Sequence, residues 1–290
     1  MIARPFIVGV ARSGTTLLRS MLDRHPMLCI LPETHFVPLL IDAFKRAPLS
    51  RDEFLEKITT FFTWPDFRID ANELGRALSH SSEFNLTTGL REFYGLYAQM
   101  HGKTGWGDKT PTYSSHLLAI SQTLPEARFV HLIRDGRAIA SSRRQLNFGP
   151  GPSISAQARD WVSKIRAARA QGSNLTHYYE TRYEELVTHP ERSLRNICKF
   201  LDLEFHEDLL NYQSSSTTLL QQFCDWKLPS GELMSSGMYR QEIHRRTTMP
   251  LDPSRIYHWQ DNLTQDEITE FESCAGSLLV ELGYTRSMKT

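Results

Sequence analysis

The chain has 290 residues, of which 40% are hydrophobic and 23% charged, enough apolar material for one continuous core, and this excludes an intrinsically disordered protein. Lys plus Arg and Asp plus Glu both number 33, so the formal net charge is zero; no global field draws the chain to nucleic acid or an anionic membrane, and local basic clusters read as sites. The four cysteines (Cys29, Cys198, Cys224, Cys274) form no CxxC pair and no zinc-ligand spacing, and with no signal peptide at Met1–Pro5 and no membrane-length apolar run the expectation is a soluble, cytoplasmic protein.

Phe6–Val10 is a short apolar run, residues 9–14 form a tight loop, and Thr15–Arg24 has helical spacing with Leu18, Met21 and Leu22 on one face. His25-Pro26 ends that helix. Leu28–Leu31 reads as a second, buried strand, and residues 36–100 as a helical insertion or lid rich in aromatics, among them Phe61, Phe62, Trp64 and Phe67. A helix is expected over 115–124, the clearest strand over Phe129–Ile133, and helices over 136–146 and 154–170. A weaker strand follows at 176–179 and a helix at 190–201. Residues 213–258 show little periodicity; so long a segment in a compact domain is often functional, here as a loop covering cofactor or substrate. A last helix spans about 266–282. The order of elements predicts a single α/β domain over 1–290.

Gly9-Val10-Ala11-Arg12-Ser13-Gly14-Thr15-Thr16 has the spacing of a phosphate-binding P-loop, but Thr15 stands where a nucleoside-triphosphatase has lysine. The glycines and the helix start still suit an anion, and Arg12 supplies a planar cation for a phosphate or sulfate. After the strand at 129–133 comes Arg134-Asp135-Gly136-Arg137. A P-loop NTPase ends such a strand in a carboxylate that helps hold Mg²⁺; Arg134 favours a second anion instead, and Ser142 can donate a hydrogen bond to it. The alternatives are an ordinary strand–turn–helix at the first motif and a local ion pair at the second.

These two motifs, in this order, resemble the PAPS-dependent sulfotransferases (PAPS is 3′-phosphoadenosine 5′-phosphosulfate), most closely the tyrosylprotein sulfotransferase branch and its bacterial relatives. By that resemblance Arg12, Ser13, Gly14, Thr15, Thr16 and Leu17 form the 5′-phosphosulfate loop, and Arg134 with Ser142 the 3′-phosphate site. Tyr183, in Arg182-Tyr183-Glu184-Glu185-Leu186, would lie near the adenine, and the closing Leu282-Gly283-Tyr284 also matches that branch. The resemblance implies a P-loop-like three-layer fold, a central parallel sheet flanked by helices, with PAPS as sulfuryl donor, no metal, a hydroxyl-bearing acceptor (peptide tyrosine, sugar or small alcohol or phenol), and relatives that are often homodimers. No nucleic-acid or membrane partner is expected.

Sulfuryl transfer needs a base for the acceptor, an in-line geometry and stabilisation of the leaving phosphate. Glu33, after the second strand, stands where this branch has its catalytic glutamate, and His35 is the alternative base. Lys109 would stabilise the transferring group, with Asp108 orienting it. A family lysine in the C-terminal loop aligns with Met249; Ser235 or Ser236 would keep a neighbouring hydroxyl contact, and Arg240, Arg245, Arg246 and Arg255 are the candidates for the missing cation. The competing readings are a P-loop kinase or NTPase and an inactive nucleotide-binding module.

Overall fold

The computed structural model describes residues 4–80, 83–146 and 149–287, so the leader reading at Met1–Ala3 lies outside the described residues. β1 (Arg4–Gly9), α1 (Thr15–Leu22) and β2 (Leu28–Leu31) open the chain, and α2 (Val37–Arg46), α3 (Arg51–Thr59), α4 (Ala71–Ser79) and α5 (Leu86–Met100) follow. Next come β3 (Gly105–Lys109), α6 (Leu117–Thr123), β4 (Ala127–Ile133), α7 (Gly136–Gln145), α8 (Ile154–Gly172), β5 (Tyr178–Arg182), α9 (Tyr183–Thr188) and α10 (Pro190–Phe200). The C-terminal part holds α11 (Gln213–Gln221), the hairpin strands β6 (Trp226–Lys227) and β7 (Leu233–Ser235), α12 (Gly237–His244), α13 (Trp259–Asn262) and α14 (Gln265–Glu281).

β1 to β5 form one parallel sheet in the order β2-β3-β1-β4-β5. The strands nearest the middle are buried on both faces, which is why β1 and β4 read as continuous apolar runs. On one face Phe6, Val8, Leu31, Trp106 and Phe129 meet the aromatic residues of the 36–100 segment, including Phe36, Phe54, Phe67, Phe93, Tyr94 and Tyr97. These helices form a layer of the core, and most of their aromatics serve packing. On the other face Ile7, Ile30, Val130 and Leu132 pack with α1, α9 and α10 through Leu18, Met21, Leu186, Leu194 and Ile197. A third cluster around Trp161 and Phe271 joins α7, α8, α13 and α14 to Val10 and Ile133.

The helix starts follow local chemistry. Ser50 and Glu53 form a capping box at α3, Thr264 and Glu267 another at α14, and the Asp135 carboxylate caps α7. One strand is not foreseen by the sequence reading, and one expectation needs correction. Gly105–Lys109 forms a strand in the middle of the sheet, although Gly, Asp and Lys are poor strand formers; tertiary pairing on both sides overrides propensity there. Residues 213–258 are not irregular: they carry two helices, a hairpin and 3₁₀ turns at Arg245–Thr248 and Pro253–Ile256. Their elements are too short for a period to emerge from the sequence.

Candidate active site

The expected site residues converge on the carboxyl edge of the sheet, where open α/β sheets bind ligands. The loop with Arg12 follows β1, Glu33 follows β2, Lys109 ends β3, Arg134 follows β4 and Tyr183 follows β5.

The loop after β1 places Arg12 and Gly14 in the left-handed region, at φ 80° and 99°. Arg143 Nε donates to the Ala11 carbonyl at 3.3 Å and Arg134 Nη1 to the Arg12 carbonyl at 3.1 Å. Two loop carbonyls are thus tied outward to arginines. α1 starts at Gly14 without a side-chain cap, so its first amides are available to an anion. Ser13 is fully buried and its Oγ has no hydrogen-bond partner among the described residues. Thr15 and Thr16 are buried at the helix start, and the Leu17 side chain goes into the core, leaving its amide to serve the loop.

Arg12 Nε donates to Ser142 Oγ at 3.3 Å and its Nη2 to the Ile243 carbonyl at 3.1 Å. Burial, then the neighbouring Arg134 charge, bring the Arg12 guanidinium down to about 10. Ser142 is thus tied to the loop through Arg12. The Arg134 guanidinium stacks 4.2 Å from the Tyr183 ring centroid, and its buried Nε has no partner among the described residues. The Tyr183 ring also covers the loop: a Cβ on Gly14 would fall 2.4 Å from Tyr183 Cδ2, so only glycine fits.

The rest of the Arg-Asp-Gly-Arg string is structural. Asp135 and Arg137 form a buried pair at 2.7 Å, and Glu272 joins it at 2.6 Å. The local ion pair considered for Arg134 thus belongs to Arg137. Tyr284 OH donates to Glu184 at 3.1 Å, and Glu184 accepts from the Asp135 amide, so the C-terminal Tyr ties down the corner between β5 and α9.

Lys109 Nζ donates to Thr16 Oγ1 at 3.3 Å and forms a close ion pair with Glu33 Oε1. Its side chain is wholly buried; burial lowers the ammonium pKa, and Glu33 opposes that shift. For Glu33 itself burial acts upward, but the Lys109 charge and the His35 hydrogen bond outweigh it and hold the carboxyl well below the usual carboxylate range. Asp108 does not orient Lys109. Neighbours on a strand point to opposite faces, and Asp108 accepts from Thr34 Oγ1 at 2.6 Å and Tyr94 OH at 2.8 Å on the other side. Its role is to anchor the turn that carries Glu33.

Ser235 pairs across the hairpin with Trp226, on the side of His35, and makes no side-chain hydrogen bond among the described residues; Ser236 caps α12. Among the candidate cations, Arg240 is committed to a buried pair with Asp66 at 2.6 Å, and Arg245 to Glu242 at 3.4 Å. Arg255 lies toward Arg134 and Tyr183: its 3₁₀ turn packs on α9, and burial, then the Arg246 charge, lower its pKa, with Arg134 also contributing. Met249 is exposed, and its carbonyl accepts from Tyr212 OH at 2.6 Å.

Sequence reasoning missed His244. Burial, then the Lys109 and Arg12 charges, hold its imidazole well below the ordinary value, so it stands neutral beside the loop. It also missed the brace near Glu33 and His35, where Asp66 accepts from Trp226 Nε1 at 3.1 Å and Arg240 lies 3.5 Å from the Trp226 centroid. Trp226, Phe62 and His35 then form an aromatic wall beside Glu33, with centroids 5.1 to 5.9 Å apart.

A parallel sheet with an arginine-bearing glycine loop and a carboxylate–lysine pair at one edge defines an α/β class distinct in its residues from the P-loop NTPases. The family model described as "Sulfotransferase family" matches residues 5–207, and the chain belongs to that family. It is 24% identical over 294 residues to protein-tyrosine sulfotransferase A of Caenorhabditis elegans, across 96% of this chain and 66% of the relative. It is 28% identical over 290 residues to protein-tyrosine sulfotransferase 1 of Homo sapiens, across 96% and 69%. The chain spans 40% to 66% of the length of three such relatives. The sulfotransferase domain from the curacin biosynthetic pathway superposes with a TM-score of 0.62 at 19% identity, covering 98% of this chain and 99% of that one. The sulfotransferase domain from the Synechococcus PCC 7002 olefin synthase gives 0.59 at 24% identity, covering 94% of each. The fold expected from the sequence, a parallel sheet flanked by helices, is the one found.

Proposed function

We propose that this chain transfers a sulfuryl group from PAPS to an acceptor hydroxyl, with Glu33 as general base. The observation that carries the proposal is the Glu33–Lys109 pair seated on the phosphate loop through Thr16. The residues suit such a donor: the unpartnered Ser13 Oγ and Arg134 Nε are buried donors without an anion, and the loop cannot take a side chain at Gly14. Arg12, the first amides of α1 and Ser13 would hold the 5′ end, and Arg134, with Arg255 nearby, the 3′-phosphate; Tyr183 would lie near the adenine.

When bound, PAPS supplies a sulfonate on a bridging oxygen whose loss leaves a stable nucleotide bisphosphate. Glu33 takes the acceptor proton as the acceptor oxygen bonds to sulfur and the sulfur–phosphate oxygen bond breaks. Lys109, whose side chain is wholly buried, offsets the charge that develops on the leaving oxygen. The names of the relatives, together with the wall of His35, Phe62 and Trp226, favour an aromatic hydroxyl such as a peptide tyrosine among the open acceptors.

Labelled PAPS with an acceptor panel tests the reading. Glu33→Gln is expected to lower turnover by about 10²- to 10⁴-fold, the usual range for loss of a general base, with nucleotide binding retained. Full activity in that variant would remove Glu33 from the base role.

A further inference from the structure

The Glu33 carboxylate has two tethers. Oε1 is held by Lys109, and Oε2 lies 2.8 Å from His35 Nε2. Since Glu33 is ionised, it can only accept, so the hydrogen of the second contact is on His35 Nε2. The two tethers differ in what a donor would do to them. Lys109 sits on the phosphate loop and is the cation an incoming sulfonate attracts. His35 packs instead on the aromatic wall, edge-on against Trp226 at 5.6 Å and tilted against Phe62 at 5.9 Å.

The backbone is bent to make this contact. His35 has φ 56°, in the left-handed region that non-glycine residues seldom occupy, and a tight turn closes around it from the Phe36 amide to the Thr34 carbonyl at 2.7 Å. Such strain persists only where the surroundings enforce it. Here Thr34 is pinned four ways: its hydroxyl by Asp108 at 2.6 Å and Tyr113 at 2.6 Å, its amide by Thr110 at 3.0 Å, and its carbonyl by Thr63 at 2.9 Å. This firmly pinned turn is the one that returns the imidazole onto the carboxylate two residues before it.

We propose that His35 is a positioning residue for Glu33: it keeps Oε2 fixed when Lys109 turns to the donor, so that the freed Oε1 faces the acceptor hydroxyl. This rests on the reading of Glu33 as the base. The released Oε1 receives the acceptor proton, and the His35 N–H remains on Oε2 throughout. No proton passes to His35, and its substitution therefore affects the geometry of the step and not the identity of the base.

Two variants separate the hydrogen bond from packing. His35→Phe keeps a ring against Trp226 and Phe62 but cannot donate; His35→Gln keeps a donor and loses the ring. Both retain a side chain at the left-handed position, so the backbone strain is common to them. With the acceptor assay, His35→Phe is expected to lower kcat by about 10- to 100-fold, the scale of a misplaced catalytic group. His35→Gln is expected to recover to within about fivefold of the parent, because an amide N–H can donate to the same carboxylate. Calorimetric affinity for 3′-phosphoadenosine 5′-phosphate (PAP) should stay within about twofold in both, as neither touches the nucleotide loop. A kcat unchanged in His35→Phe, or a loss in His35→Phe that His35→Gln does not recover, or a parallel loss of PAP affinity, would overturn the proposal. Glu33→Gln run alongside distinguishes the failures: inactive Glu33→Gln with fully active His35→Phe sinks the positioning role alone, whereas fully active Glu33→Gln sinks the base reading and this proposal with it.

Discussion

Arg134 and Arg12 sit within one hydrogen-bond network but do different work. Arg134 fixes the Arg12 carbonyl with one nitrogen, while its Nε, beside the Tyr183 ring, has no partner among the described residues. A charge-assisted hydrogen bond contributes about 1.5–3 kcal/mol. Arg134→Ala is therefore expected to weaken PAP by about 10- to 100-fold and to change adenosine 5′-phosphosulfate, which lacks the 3′-phosphate, far less; equal losses for both would place Arg134 elsewhere. This much was legible in the sequence, because the loop and Arg134 are defined by spacing along a few consecutive residues. What was not legible depends on pairing across the chain. Arg240 and Arg255 look alike as sequence, yet Asp66, 174 residues before Arg240, commits one of them and leaves the other toward Arg134 and Tyr183. Asp108 next to Lys109 suggested a partner, but strand alternation sends the two side chains to opposite faces.

At the scale of elements, a buried ion pair braces the segment from α11 to α12 against the rest of the site, beside the Arg12 contact to the Ile243 carbonyl and the Arg19 contact to Gln222. Asp66 accepts from both Arg240 nitrogens, the Cys224 amide and the Trp226 indole. Removing one partner of a buried pair costs about 3–5 kcal/mol, since the other charge stays desolvated. Asp66→Asn should thus lower stability on that scale and loosen the hairpin that carries Trp226, read as faster amide exchange over 224–240; an unchanged melting temperature and exchange pattern would contradict the brace. β3 makes a second prediction. Burial pushes the Asp108 carboxyl up to about 6, with hydrogen bonds from Thr34, Thr110 and Tyr94 opposing. A raised folded-state pKa contributes stability that is full below about 4 and is lost as pH rises through about 6. Relative to the parent, Asp108→Asn should therefore gain on the order of 2 kcal/mol between pH 4 and 7; a difference flat across that window would mean that Asp108 does not titrate there. β3 escaped the sequence reading because its identity as a strand comes from β1 and β2 on either side, and β5, half-buried at the sheet edge, gave only a weak apolar signal.

For the whole molecule, the five strands of the parallel sheet each deliver a residue to one edge: Arg12, Glu33, Lys109, Arg134 and Tyr183 all lie at or just beyond a strand's carboxyl end. Layers of helices on both faces hold those ends in register, and the C-terminal segment closes over them through the Ile243 carbonyl on Arg12. The central claim is that this edge is built for a nucleotide with phosphates at two separate places. Calorimetric titration with PAP, against ATP and ADP, with and without Mg²⁺, tests it most directly. The account expects tight PAP binding that does not depend on Mg²⁺ and much weaker binding of ATP and ADP. Mg²⁺-dependent ATP binding with no response to the 3′-phosphate would contradict it and make the chain a nucleoside-triphosphate enzyme.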